Sequence, residues 1–441
     1  MKKTVFVLAL ALAYALCVSA LAGGAALTPV LQDVGRLDYQ NKTNDVLVQN
    51  KDTRLYGVYN TVGEQLIPCE HRALAPLGHG YFEAINEEGL NTHALLDNTG
   101  KTVIEGRYAA YEMIDGRWCA AVTLEATDGE VYDYAGGFLG GGKHYIAVRY
   151  DLYDLRAGNM AGSLTRAQYK RCVAHGDYLY VQDQDKAVTV YGPDMAPLDV
   201  KADSIYQSVD VKGGKAVSLS DGKVIADNVS SARVDNETGL IHVRSKGDRA
   251  GLYDGEGKEL IPCAYDAVGV IYEGYAPVKE NGLWGLYDMA NGKLAVPCQY
   301  DEIQWLSKGA NRYVYNGYVC VLKDGKLGFT DLNGNVTCEV KYAASAAVRH
   351  GCSMTVADMD GTLYIIAADG TQTKTEFTQF DQYAGGDGSL LMASKNDEAG
   401  IVDWHGNVVL PLEYKNYELT ITGDAKAVIV KDTLYAVSWD K

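Results

Sequence analysis

A short unit of sequence recurs along most of this chain. Its clearest copies read TRLYGVYNTVGEQLIPC at residues 53–69, GDRAGLYDGEGKELIPCAYDAVGVIYEGYAPV at 247–278 and NGLWGLYDMANGKLAVPCQYD at 281–301. A unit that recurs every few tens of residues cannot bury its own apolar face, so neighbouring copies must pack on one another. The chain is therefore predicted to fold as an array of small repeated units.

Each copy contains a small residue, which we call the anchor, at the start of its GLYD-like step. A glycine usually follows it in the next turn. The clear copies have their anchors at Gly57, Gly251, Gly285, Gly328 and Gly400. The weaker copies have them at Ala94, Asp151, Thr189, Ala216, Tyr364 and Tyr435. An extra segment at 121–146 and a short step from 189 to 216 make the middle of the chain irregular.

The unit has the pattern of short strands joined by tight turns. Asn281-Gly282 and Asn291-Gly292 are examples of the dipeptides that separate β-rich runs, and such dipeptides are the strongest local signal for a β-hairpin. The chain holds 48 glycines and 32 tyrosines, and tyrosine suits a half-buried pleated surface. No long helical periodicity follows residue 26. The predicted fold class is all-β, a repeat array of short antiparallel β-hairpin units.

The run NGLWGLYD followed by GKLAVPCQYD resembles the bacterial WG repeat. The resemblance is specific at 245–301, good at 51–69, and degenerate from about 90 to 240 and beyond 340. Only Trp284-Gly285 keeps the family's dipeptide. The resemblance implies a repetitive β array, often exported, with no general catalytic residues.

The two ends of the chain favour a closed ring. The chain stops in the middle of a unit, while residues 27–35 resemble the second half of a unit, 260–269, with one residue deleted. An N-terminal half could therefore complete a C-terminal half and remove the exposed sheet edges, as in propellers. Eleven anchors exceed the about 4–8 blades that are typical. Fewer true blades, two sub-rings and an open β-solenoid therefore remain alternatives.

The first residues have the form of an export leader. Lys2 and Lys3 precede a nearly all-apolar run at 4–21, and a small-x-small pattern ends at Ala22. We predict a signal peptide over 1–22, cleavage after Ala22, and a secreted or cell-surface location. An uncleaved leader that anchors the chain in the membrane is one alternative, and lipid attachment at Cys17 is another.

The charge balance narrows the choice of partners. Lysine and arginine total 40 against 57 aspartates and glutamates, a net charge of −17. Such an acidic chain repels phosphate backbones and anionic lipid, so nucleic acid is not an expected partner. Contact with a membrane is expected only through an uncleaved leader. With 47 % hydrophobic and 22 % charged residues, the composition is that of a globular chain.

The cysteines, histidines and acidic stretches, which are the usual sources of metal ligands, lie mostly at recurring positions of the unit. Cys69, Cys263 and Cys298 share one slot of the unit, which predicts buried free thiols rather than disulfides. No C-x-x-C pair points to zinc. His79, His175, His350 and His405 each precede a glycine, and the first three align with Glu273 as turn residues. The acidic stretches 254–257, 331–335 and 358–361 resemble calcium loops faintly but lack the closing glutamate. We predict no metal site and no cofactor.

The sequence contains no nucleophile elbow, no H-E-x-x-H motif and no phosphate loop, so no catalytic residue is predicted. The most distinctive segment outside the repeat is VYDYAGGFLGGGKHY at 131–145. Insertions in repeat arrays map to loops, often on the binding face. Its aromatic and histidine residues could stack on a sugar or bind a peptide, or they could pack against the repeat array. The candidate binding residues are Tyr132, Tyr134, Phe138, His144 and Tyr145.

These features predict three regions: the signal peptide, degenerate repeats over 23–240 that include the insertion near 121–146, and clearer repeats over 241–441. The predicted function is that of an exported, non-catalytic β-repeat scaffold that binds a protein or a cell-envelope glycan. The alternatives are an extracellular glycan hydrolase with a pair of carboxylates, and a purely structural envelope protein.

Overall fold

The computed structural model describes residues 25–40, 43–132, 138–235, 238–304, 312–380, 388–423 and 425–439. Side chains are described throughout these ranges except over 128–144. The predicted leader and Tyr134 lie outside the described residues. Within them, no helix is long and apolar enough to span a membrane.

The described chain forms eleven small antiparallel sheets, which are the blades of an eleven-bladed β-propeller. We number the blades in chain order and the strands β1 to β43. Strand β1 is Ala25–Leu31. Blade 1 holds β2 to β5, at Arg36–Gln40, Asp45–Gln49, Tyr56–Tyr59 and Gln65–His71. Blade 2 holds β6 to β9, at Ala73–Gly78, Tyr81–Ile85, His93–Asp97 and Thr102–Tyr108. Blade 3 holds β10 to β13, at Ala110–Met113, Trp118–Tyr132, Phe138–Asp154 and Asn159–Thr165.

Blades 4 and 5 have three strands each. Blade 4 holds β14 to β16, at Arg171–His175, Tyr178–Gln182 and Val188–Tyr191. Blade 5 holds β17 to β19, at Val209–Lys212, Lys215–Ser218 and Val224–Asp227. Blade 6 holds β20 to β23, at Val229–Val234, Ile241–Ser245, Ala250–Tyr253 and Glu259–Tyr265. Blade 7 holds β24 to β27, at Ala267–Val268, Tyr275–Glu280, Leu283–Asp288 and Lys293–Tyr300.

Blade 8 holds β28 to β32, at Glu302–Ile303, Val314–Tyr315, Tyr318–Lys323, Lys326–Asp331 and Val336–Ala343. Blade 9 holds β33 to β36, at Ala347–Arg349, Ser353–Ala357, Leu363–Ala367 and Gln372–Lys374. Blade 10 holds β37 to β40, at Gln379–Phe380, Leu390–Lys395, Glu398–Asp403 and Val408–Tyr414. Blade 11 follows a 3-10 turn, Asn416–Glu418, and holds β41 to β43, at Leu419–Ile421, Ala427–Val430 and Thr433–Trp439, with β1 as its fourth strand.

Each of the eleven anchors lies in a different blade, so every weak copy of the unit is a blade of its own. The irregular step from 189 to 216 also has a structural counterpart. Blade 4 ends after its anchor strand β16, and blade 5 begins one strand late, so residues 192–208 between them form no strand. The all-β repeat prediction is confirmed, and the ring rather than the open solenoid is the observed form.

The two ends of the chain close the ring. Strand β1 pairs antiparallel with β43, with Ala25 opposite Trp439 and Leu31 opposite Leu434. In the regular blades three residues of the last strand bulge opposite the anchor, whereas here only Pro29 and Val30 lie between the flanking pairs. The deletion of one residue that the sequence shows in 27–35 is therefore a shorter bulge.

The anchor glycine is required by this bulge. In blade 7 the pairs Trp284–Tyr300 and Leu286–Val296 enclose Gly285 on one strand and three residues on the next. A Cβ on Gly285 would lie 2.5 Å from the carbonyl oxygen of Val296 and 2.8 Å from the nitrogen of Cys298. Such approaches leave no room for any side chain. Pro297 lies within the bulge, where proline is tolerated because a bulged residue need not donate to the ladder.

The same close approach occurs in every blade that has an anchor glycine. A Cβ would meet backbone atoms of the following strand at 2.5 to 2.8 Å at Gly57, Gly251, Gly328 and Gly400. Blade 2 has the three-residue bulge with Ala94 as its anchor, and there Gly106 occupies the bulge position that Cys298 has in blade 7. A Cβ on Gly106 would lie 4.0 Å from the Cβ of Ala94. In blade 2, therefore, the residue without a side chain lies on β9 and not on the anchor strand β8.

The glycine of the following turn has a second role. Gly257, Gly334 and Gly406 have φ of 79°, 79° and 94°, which suits glycine. A Cβ on each would contact the last strand of the preceding blade, 3.2 Å from the Ile225 carbonyl oxygen in the case of Gly257. These three turns therefore dock blades 6, 8 and 10 on the blades that precede them.

The cores lie between neighbouring blades rather than at one centre. One cluster joins Leu286 and Val296 of blade 7 to Val319 and Val321 of blade 8, and Trp284 packs against it. The eight cysteines among the described residues are free. The three that share a slot, Cys69, Cys263 and Cys298, were predicted to be buried but are only partly buried. Cys298 lies over the bulge, with its Sγ 3.6 Å from the Val278 carbonyl oxygen.

Candidate functional site

Blade 3 differs from the other blades in the length of its central hairpin. Strands β11 and β12 contain 15 and 17 residues, while the other strands contain at most 8. The pairing runs from Trp118–Asp154 to Tyr132–Phe138. Strand β10 pairs only with residues 119–122 of β11, and β13 only with residues 149–154 of β12. Residues 124–132 and 138–147 therefore form a two-stranded extension of the blade, which we call the ribbon.

The predicted insertion near 121–146 is this ribbon. Backbone register places Tyr132 opposite Phe138 and His144 opposite Thr127. Tyr145 lies opposite Ala126, and its side chain is 57 % exposed. The exposed Tyr145 is available to a partner. The binding role of all five candidate residues stays a prediction.

A side-chain amide holds the base of the ribbon. Asn91, in the loop between β7 and β8 of blade 2, donates from Nδ2 to the carbonyl oxygen of Leu124 at 3.0 Å. The backbone nitrogen of Leu124 donates to Oδ1 of Asn91, also at 3.0 Å. One amide thus satisfies both backbone groups of Leu124, as a neighbouring strand would. The sequence reasoning missed Asn91, because no local pattern links residue 91 to residue 124.

A buried carboxylate fixes the other strand of the ribbon. Asp151, the anchor residue of blade 3, is 3 % exposed. Its oxygens accept hydrogen bonds from the hydroxyls of Tyr108 at 2.9 Å and Ser163 at 2.5 Å, and Oδ1 lies 3.1 Å from Nε of Arg149. The Tyr108 hydroxyl also lies 2.9 Å from that of Tyr153. A buried charge with these partners ties the root of the ribbon to the last strand of blade 2.

The predicted turn chemistry explains the acidic stretches. Oδ1 of Asp254 accepts hydrogen bonds from the nitrogens of Glu256 and Lys258 at 2.9 and 2.8 Å. Asp331 and Asp358 make the equivalent bonds to residues two and four positions later. The carboxylates of Asp254 and Asp331 close the turn after the anchor strand, and that of Asp358 closes the turn before it. In the described part of the chain, no group of three or more histidine, cysteine or acidic residues could hold a metal ion.

The three histidines that align with Glu273 all lie at hairpin ends, but they do not occupy the same turn position. His79 is a central turn residue with φ of 53°, like Glu273 with φ of 46°. His175 and His350 lie one residue earlier, because His175 pairs with Tyr178 and the nitrogen of His350 donates to the Ser353 carbonyl oxygen. The aligned turn position was therefore wrong for these two residues. The irregular register of degenerate copies hides such a shift of one residue.

His350 lies in an unusual environment for a histidine. It is 2 % exposed, its Nε2 lies 3.0 Å from Oγ1 of Thr355, and its ring contacts that of Phe380 at 5.9 Å. Burial lowers the pKa of His350 to about 4, because an apolar site disfavours the imidazolium. His350 is therefore a neutral packing residue at the interface of blades 9 and 10.

Raised carboxyl pKa values occur at two separate places. Desolvation raises the pKa of Asp45 in blade 1 and of Glu112 in blade 3. Glu112 accepts a hydrogen bond from the Tyr169 hydroxyl at 3.0 Å. A glycosidase needs two carboxyl groups that flank one bond, and Asp45 and Glu112 belong to different blades.

Comparison with known proteins identifies the repeat. The family described as WG containing repeat matches residues 251–284 and 284–326, a segment that extends from blade 6 into blade 8. Among curated protein sequences, none matches this chain.

Three solved structures are similar over most of their length. A eukaryotic initiation factor has 10 % identity, with 87 % of this chain and 96 % of that chain covered and a TM-score of 0.32. BamB from Moraxella catarrhalis has 12 % identity, with 82 % and 96 % covered and a TM-score of 0.23. The WD40 domain of SCAP from fission yeast has 11 % identity, with 94 % and 97 % covered and a TM-score of 0.25.

The repeat family, the anchor glycines and the bulge that requires them agree over the same residues. Residues 251–326 of this chain contain WG repeats.

Proposed function

We propose that this chain is an exported, non-catalytic scaffold that holds a protein partner on the ribbon of blade 3. The observation that carries the proposal is the length of the hairpin β11–β12, which extends past both neighbouring strands of its own blade. An isolated two-stranded ribbon is marginally stable in water, and open strand edges invite pairing with another chain. A partner would supply the contacts that the ribbon lacks.

The base of the ribbon is suited to present it at a fixed angle. Asn91 holds one edge at Leu124, and Asp151 holds the root of the other strand. Binding elements work best when a rigid scaffold holds them. A purely structural role would not require an extension beyond the blade. The leader-like sequence at 1–22 supports export.

The test compares residues 23–441 with a variant in which 125–146 are replaced by a two-residue Asn-Gly turn. Both proteins, immobilised, are exposed to cell-envelope and secreted fractions, and the bound proteins are identified. The proposal expects a defined protein that the first retains and the variant loses. The control replaces Glu256-Gly257 in an ordinary turn of blade 6 with Asn-Gly. Equal retention by both proteins would contradict the proposal.

A cell-envelope glycan is a second candidate partner, because the exposed ring of Tyr145 could stack on a sugar. A glycan array probed with the same two proteins separates the candidates. Glycan binding that disappears in Tyr145→Ala would favour the second candidate over the first.

A further inference from the structure

The hydrogen bonds of Asn91 reveal which backbone groups of the ribbon face outward. Both the nitrogen and the carbonyl oxygen of Leu124 bond to Asn91, so neither is available to Ala147, the opposite residue on β12. In an antiparallel pair, residues with inward and outward backbone groups alternate. The pairing from Leu124–Ala147 to Val131–Gly140 continues without a register shift. The backbone groups of Ala126, Asp128 and Glu130 therefore face outward on the same edge.

Among the residues that the structure describes, no strand pairs with this outward edge beyond Asn91. Strand β10 ends its pairing at Val122, and Asn91 bonds Leu124. Among the described residues, no backbone hydrogen bond outside the strand ladders involves Ala126, Asp128 or Glu130. Asn91 occupies the place that the first residue of an added strand would take.

The charge on β11 selects the occupant of the edge. Between residues 118 and 132 this strand carries Glu125, Asp128 and Glu130 and no lysine or arginine. A second copy that paired edge to edge would place these acids against each other, and like charges oppose such pairing. The net charge of −17 adds to that repulsion. A positively charged extended segment meets neither obstacle.

We propose that the outward edge of β11, over residues 125–132, binds an extended basic peptide segment of a protein partner as an added antiparallel strand. The inference rests on the proposed function and names its binding mode and the chemistry of its partner. Main-chain hydrogen bonds at Ala126, Asp128 and Glu130 provide the affinity, and the acids of β11 select basic side chains. Asn91 sets the position at which the added strand begins.

The test uses synthetic peptides as probes. A labelled seven-residue peptide of alternating lysine and valine is titrated with residues 23–441, and binding is followed by fluorescence anisotropy at low and physiological salt. Matched probes alternate glutamate and valine, or keep lysine and valine with N-methylated valines. The proposal expects at least about tenfold weaker binding for both matched probes, because one loses the charge match and the other loses backbone donors.

Two proline variants locate the edge. Ala126→Pro removes an outward N–H from β11 and leaves the β11–β12 ladder intact, and Ala147→Pro does the same on the opposite edge of the ribbon. The expected result is about tenfold weaker binding of the basic peptide by Ala126→Pro and little change with Ala147→Pro. Thermal unfolding checks that both variants fold. An equal loss in both variants, or a loss only in Ala147→Pro, overturns the inference.

Two further outcomes also overturn it. One is equal binding of the basic and acidic peptides, or no binding of either. The other is self-association of the chain without peptide that Ala126→Pro abolishes in sedimentation, which would assign the edge to a second copy. If the peptides fail but the variant without 125–146 still loses its captured protein, the proposed function stands and this binding mode does not.

Discussion

Blades 7 and 9 are built from the same unit, yet they treat the anchor position in opposite ways. In blade 7 three residues bulge opposite Gly285, and a Cβ there would meet the Val296 carbonyl oxygen at 2.5 Å. In blade 9 the pairing is flat, and Tyr364 lies directly opposite Lys374. Flat or shorter pairing also accompanies Asp151 in blade 3 and Tyr435 in blade 11. The anchor is small where the next strand bulges and free to vary where it does not.

Gly285→Ala tests the steric requirement at the anchor of blade 7. The new Cβ would overlap backbone atoms of the bulge that cannot move without breaking the ladder, so we expect a loss of about 3 kcal/mol in the free energy of unfolding. Urea denaturation measures it. The control is Gly255→Ala, because a Cβ there meets nothing within 4 Å, and its stability should change by less than about 1 kcal/mol. Similar losses for the two variants would refute the steric role of the anchor.

This relation shows what could be predicted from the sequence. The GLYD-like step and the turn dipeptides are local signals, so they predicted the strands and the eleven anchors, and they revealed the residue deleted in 27–35. The partners of Asp151 and His350 could not be predicted. Asp151 bonds Tyr108, which is 43 positions away, and His350 packs on Phe380 of the next blade. Contacts between blades depend on register, which degenerate copies do not specify.

The residues at the hairpin ends make the stability of the bulged and the flat blades depend differently on pH. In the bulged blades 2 and 7, His79 and Glu273 are central turn residues, whereas in the flat blade 9 His350 is buried. The folded pKa of His350, about 4, lies below its ordinary 6.5. The unfolded chain therefore binds a proton that the fold does not, between pH 6.5 and pH 4. The contribution of this group is complete above pH 6.5 and falls by about 3 kcal/mol as the pH drops to 4.

Urea denaturation at pH 7, 5.5 and 4 for the wild type and His350→Gln measures this contribution. The variant should lose less stability than the wild type over that interval, although it starts lower at pH 7. His79→Gln is the control, because His79 is a turn residue. Parallel pH curves for the wild type and His350→Gln would show that His350 does not stay neutral in the fold.

Blade 3 tests whether glycine is favoured at an anchor position where the pairing is flat. Glycine is the commonest anchor residue, at five of the eleven positions, so Asp151→Gly would restore the common pattern. Because the pairing here is flat and Asp151 accepts bonds from Tyr108 and Ser163, we expect a loss of about 2 kcal/mol in the free energy of unfolding instead. Thermal and urea unfolding measure it, and Asp151→Asn should recover part of the loss. A gain in stability would mean that the repeat pattern outweighs the local network.

The smallest effect is expected where the repeat has exchanged its side chains. In blade 2 the anchor is Ala94, and Gly106 supplies the space. Ala94→Gly removes only a methyl group and adds backbone freedom in a strand, so we expect a loss of about 1 kcal/mol. Gly106→Ala would bring a Cβ within 2.9 Å of the Thr92 carbonyl oxygen, and should cost more. The order of the two losses in urea denaturation decides which strand provides the space in blade 2. A gain in stability for Ala94→Gly would instead place the steric requirement on β8, as in the glycine-anchored blades, and the apparent exchange would be a coincidence of sequence.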